Sequence, residues 1–156
     1  MSSAHPPFDS WPAQLVDARF GRAWFAEPAV FINQLDAARG TVEAVNGLHD
    51  AIDHILAKRR EVIREAGGIT IIHDWRRRHR YDTEARQIFL ERMRAREPGY
   101  LKTVVAIVGN TPFLRMAVQT ANMLMALRSG GQLELALDAG EVLRNQRISA
   151  PVGRWP

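Results

Sequence analysis

A chain of 156 residues is long enough for one hydrophobic core, since a domain of this length buries roughly 68–70% of the surface its unfolded form exposes. With 46% hydrophobic and 24% charged residues it is neither a disordered nor a fibrous sequence, and the absence of cysteine excludes disulfides, thiolate nucleophiles and cysteine-ligated metal. The net charge of +4, carried mostly by arginine, suits an acidic partner and equally suits a plain solvated surface.

The opening MSSAHPPFDSWP has neither a basic cluster nor an apolar run, and no window approaches the ~18 apolar residues that span a bilayer. The expectation is a cytoplasmic chain without a membrane span. Pro6, Pro7 and Pro12 prevent a helix or central strand, so residues 1–15 read as a flexible arm. The domain then occupies 16–147, and 148–156 form a tail.

From Arg19 to Leu35, aromatic and β-branched residues flank the pair Glu27-Pro28, a pattern for two strands joined by a tight turn. Between Thr41 and Ala66, apolar residues recur at steps of three and four from Val42 to Ile63, which predicts one long amphipathic helix. Its outer face carries Glu43, Asp50, Asp53, Lys58, Arg59 and Glu61, and Gly67-Gly68 ends it. Ile69 to Ile72 is a β-branched run suited to a strand covered on both faces. Asp82 is placed to cap a second helix, with Ala85, Ile88, Phe89 and Met93 inward and Pro98-Gly99 as its stop.

Leu101 to Gly109 is the clearest strand. Thr111 and Pro112 open a third helix that runs to about Ser129. That helix is apolar almost all round, with Met116, Met123 and Met125, and such a surface either packs in the core or covers a partner, a second copy or an apolar ligand. Leu133 to Leu137 alternate as an edge strand, and a helix from about Asp138 to Asn145 closes the domain. Strands alternating with helices define an α/β fold with a mostly parallel sheet of four to five strands.

The element order, the Gly40-Thr41 opening of the first helix and the segment ITIIHDWRRRHRYDTEARQIF resemble the STAS domains, which include bacterial anti-sigma-factor antagonists and the cytoplasmic tails of sulfate transporters. The resemblance covers about Val16 to Asn145. It implies a non-enzymatic regulatory module that binds protein partners. In the antagonists an Asp-Ser-Ser-Gly motif opens the helix after the central strand, and its second serine is the phosphorylated switch. Here Asp82 matches the aspartate, Thr83 the first serine, and Glu84 stands where the switch serine would be. Three readings stay open: Glu84 imitates a permanent phosphoserine, Thr83 takes the phosphate, or the switch is lost. The resemblance thus implies partner binding through Tyr81, Asp82, Thr83, Glu84 and Arg86, with Thr83 as the phosphorylation candidate. The partner is a regulatory protein or a sister copy in a homodimer.

The loop between strand and helix carries Arg76, Arg77, Arg78 and Arg80, a candidate anion site beyond the carboxyl end of a strand. A solvated loop anchored by Trp75, with Asp74 and Asp82 neutralising arginines, is the plainer reading. His73 and Asp74 are adjacent, but no nucleophile, glycine-rich elbow or second carboxylate pair accompanies them, so no catalytic residue and no cofactor is assigned. His49 and His54 are five apart, the wrong spacing for a shared metal on a helix, and no metal is expected. No nucleic-acid-binding motif is visible. The alternative to an interaction module is a small-molecule or lipid carrier with an apolar pocket between sheet and helices, walled by Trp24, Phe25, Phe113 and the methionines.

Overall fold

Side chains alternate across a strand, so a strand with apolar residues at every position must be covered on both faces. In the computed structural model, which describes residues 7–36, 39–77, 80–108 and 132–156, the chain builds two such layers around one sheet. Its strands are β1 (Leu15–Asp17), β2 (Gly21–Ala26), β3 (Val30–Leu35), β4 (Arg39–Gly40), β5 (Ile69–Asp74), β6 (Arg80–Tyr81), β7 (Leu101–Ile107) and β8 (Gln132–Ala136). Six of them form the sheet in the order β1-β2-β3-β5-β7-β8, antiparallel up to β3 and parallel from there on, while β4 and β6 pair separately and in parallel. The fold is α/β with a mostly parallel sheet.

On one face lie α1 (Val42–Lys58), α2 (Arg60–Glu65) and α3 (Thr83–Arg94), which bury Leu48, Ile52, Ile55, Ile63 and Phe89 against Phe31, Ile71 and Val104. The other face is covered by α4 (Ala139–Asn145) and a 3-10 turn, Pro7–Ser10, whose Phe8 packs on Trp24, Ile72 and Ile107. Two cap residues act as their types predict: Thr41 Oγ1 accepts from the Ala44 amide at 3.1 Å, and Asp138 Oδ1 from the Glu141 amide at 2.7 Å.

Several expectations require correction. The sheet has six strands rather than four to five, because Leu15–Asp17 pairs with Gly21–Ala23. Residues 7–15, read as part of a flexible arm, contribute Phe8, fully buried and 5.8 Å from the Trp24 ring centroid, and the Pro12 carbonyl that accepts from Trp24 Nε1. The prolines exclude helix and central strand, but not a 3-10 turn that carries an aromatic anchor. The first helix is two helices, broken at Arg59, whose backbone leaves helical geometry (φ −119°, ψ 26°). Residues 148–156, read as a tail, pack on the domain, for Trp155 stacks on His54 at 6.0 Å and meets Phe31 edge-on at 6.0 Å. The third predicted helix, with Thr111, Phe113, Met116, Met123 and Met125, lies outside the described residues.

Candidate functional site

Parallel strands deliver their carboxyl ends to one edge of the sheet, where Asn33 and Gln34 of β3 stand beside His73 and Asp74 of β5. Alternation separates these four into two pairs. Asn33 and His73 face α1 and α3; His73 Nδ1 lies 2.9 Å from the Asn33 amide nitrogen and 3.2 Å from its oxygen, and that amide nitrogen donates to the Ile72 carbonyl at 3.2 Å. His73 also stacks on Trp75, with centroids 5.0 Å apart. Gln34 and Asp74 face the opposite side, where Asp74 accepts from Gln34 Nε2 at 3.1 Å and from Arg76 Nε and Nη2 at 2.8 and 2.7 Å. Though adjacent in sequence, His73 and Asp74 therefore form no acid–base dyad.

The arginine loop is neutralised internally to a large degree. The Asp74 carboxylate, itself buried, forks onto Arg76 and holds that guanidinium's pKa above its usual value. Arg77 lies 3.3 Å from Asp36 and 3.8 Å from Asp9. Arg80 is exposed on β6, and Arg78 lies outside the described residues. The loop is braced by the pairing of β4 with β6, where the Asp82 amide donates to the Gly40 carbonyl at 2.9 Å. Tyr81 is half-buried and packs edge-on to Trp75 at 6.4 Å.

These contacts present the start of α3 in a defined position. Asp82 occupies the cap position, but its side chain makes no cap hydrogen bond and accepts instead from Arg39 Nε at 2.9 Å. That hydrogen bond holds the Asp82 carboxyl below the usual carboxylate range. Thr83 and Glu84 are exposed in the first turn, and Arg86 donates to the Thr83 hydroxyl at 3.5 Å. Of the five residues expected to bind a partner, Thr83 and Glu84 are exposed, Asp82 and Arg86 are half-buried, and the half-buried Tyr81 packs on Trp75.

Behind this edge lies a polar cluster that sequence reasoning missed. His49 of α1 is 1% exposed, packs edge-on to Phe89 at 4.6 Å, and neither ring nitrogen has a hydrogen-bond partner among the described residues. Burial, with the charges of Arg96, His73 and Arg92 adding, holds its pKa well below 6.5. His49, His73, Arg96 and Tyr100 line a void of about 10 Å³, which is room for one water and far below the size of a ligand pocket. Trp24 and Phe25, expected as walls of one apolar pocket, point to opposite faces of the sheet. Among the described residues no cluster of histidine and acidic side chains could hold a metal, and no helix is long and apolar enough to cross a membrane.

No family model, no curated protein and no solved structure matches this chain.

Proposed function

We propose that the chain is a non-enzymatic STAS-type interaction module that docks a regulatory protein through the start of α3 and the loop before it. The observation that carries this reading is the exposure of Thr83 and Glu84 on a helix start braced by the pairing of β4 with β6 and by the Arg39–Asp82 ion pair at 2.9 Å. A rigid, solvent-facing first turn costs little ordering on binding, which is what a docking surface requires. Negative charge is favoured at such a helix start, so Glu84 supplies constitutively the charge that a phosphate on Thr83 would increase. Arg86, already within 3.5 Å of the Thr83 hydroxyl, is placed to pair with that phosphate.

The reading is tested by offering a lysate of the source cells to immobilised wild-type protein and to the Glu84→Lys variant. A protein retained by the wild type and lost from the variant supports the docking surface. Equal retention by both removes it.

A further inference from the structure

At the other edge of the sheet, the amino-terminal ends of the parallel strands border a cleft of about 300 Å³ between the β2–β3 turn, the α1–α2 break and the segment after α4. This volume lies at the lower end of the range of small-molecule sites. Three arginines line it, Arg59, Arg147 and Arg154, against one acidic residue, Glu27.

Among the described residues, nine of the thirteen other arginines reach a carboxylate within salt-bridge distance. None of the three cleft arginines does so, and the fold brings Arg59, from the first half of the chain, beside Arg147 and Arg154 near its end. Arg59 is half-buried, its guanidinium carbon 6.0 Å from the Phe25 ring centroid, and its Nε is buried without a hydrogen-bond partner among the described residues. Arg147 holds a backbone φ of 54°, the sole positive φ of a non-glycine residue among the described ones, at the position after a helix where glycine is ordinarily found. A strained conformation retained for an arginine points to a use for its side chain.

The rim around these cations is built rather than loose. Gln14 Nε2 donates to the Val152 carbonyl at 3.3 Å, and the stacking of Trp155 on His54 fixes the chain just beyond Arg154. Val152 itself is 91% exposed beside the cleft, and with Phe25 and Pro151 it offers an apolar wall next to the charges. We propose that the cleft lined by Arg59, Arg147 and Arg154 binds a phosphate-bearing small molecule, its phosphoryl oxygens on the guanidiniums and its organic part against Val152 and Phe25. Planar guanidiniums match phosphate oxygens in pairs, and three of them favour an anion of more than one charge.

The test is a titration of the full chain with inorganic phosphate and then pyrophosphate at constant ionic strength, read by the amide NMR shifts of Ser149 and Gly153. Saturable shifts confined to the cleft are expected, with tighter binding of pyrophosphate. Arg154→Met should weaken binding about tenfold, the order of one charge-assisted contact. Arg147→Gly should weaken it similarly while leaving the fold at least as stable, because glycine adopts φ near 54° without strain. Arg64→Met removes the same charge from an arginine already paired with Glu61 and should change nothing. Non-saturating shifts, or equal loss in all three variants, would overturn the proposal. So would saturation by an acidic peptide without any by phosphate, which would assign the cleft to a protein partner.

Discussion

Nε of Arg39 donates to the Asp82 carboxylate at 2.9 Å, so the side chain in the cap position of α3 bonds to β4 and leaves only its backbone carbonyl to the helix. The pair is exposed on the arginine side and ties β4 to the start of α3. Solvent screens such a pair, so Arg39→Ala should leave the melting temperature almost unchanged. The Asp82 carboxyl should instead titrate closer to the usual carboxylate value, since the hydrogen bond from Arg39 is the first cause of its lowered pKa. Carbon-detected NMR titration of wild type and variant reads both. An unchanged Asp82 titration would show that the ion pair is absent in solution.

The buried ring of His49 makes stability depend on pH in one direction. An unfolded histidine takes a proton as pH falls through about 6.5, whereas the native ring resists it, so stability is complete above that pH and declines below it. One such group gives a slope of up to about 1.4 kcal/mol per pH unit. His49→Leu should flatten that slope, and it should be neutral or stabilising at pH 7 because it removes two buried nitrogens without partners. Urea unfolding of both proteins across pH 5 to 8 measures the difference, and parallel curves would place the proton elsewhere.

Gly21 begins β2 with φ 136°, and a Cβ there would come within 2.3 Å of the Gln34 carbonyl oxygen on the paired strand. Gly67, with φ 80°, has open space around the same position. Gly21→Ala should therefore cost about 3 kcal/mol or more, through backbone strain and lost pairing together. Gly67→Ala should cost about 1 kcal/mol, from the left-handed backbone alone. Equal costs in chemical denaturation would mean that β3 yields to the added methyl group.

Phe8 lies between Trp11, 5.1 Å away and edge-on, and Trp24. Phe8→Ala should cost about 3–4 kcal/mol, as expected for a fully buried aromatic ring. A chain begun at Val16 should lose still more, because the Pro12 carbonyl leaves with it and Trp24 Nε1 loses its acceptor. Thermal unfolding of the two variants settles whether the amino-terminal segment belongs to the domain.

The parts of the fold that were legible in the sequence carry their pattern locally. Ile69 to Ile72 and Leu101 to Ile107 are β-branched or apolar at nearly every position, and both lie inside the sheet with cover on two faces. Thr41 and Asp138 cap their helices as the residue types require. Phe8 and Trp11 stayed hidden because two aromatics between prolines have no period to read. Asp50 and Asp53 do lie on the exposed outer face of α1, and there they receive Arg92 at 2.8 and 2.7 Å and so join α1 to α3, a pairing that no local pattern announces. The β5–α3 segment was legible as a unit because Tyr81 to Arg86 are contiguous in the chain. The cleft of Arg59, Arg147 and Arg154 was not, since only the packing of the tail brings them together. The burial of His49 depends likewise on Phe89 from another helix.

In the order β1-β2-β3-β5-β7-β8 each strand of the sheet lies beside the strand made just before it. No strand has to be inserted between two that are already paired. Chain growth and sheet growth thus run in the same direction, and each newly made strand meets an edge that is already in place. Loop closures stay limited to the length of one crossover. The last strand, β8, is then the one whose absence would leave β7 as an open template for the strand of another chain.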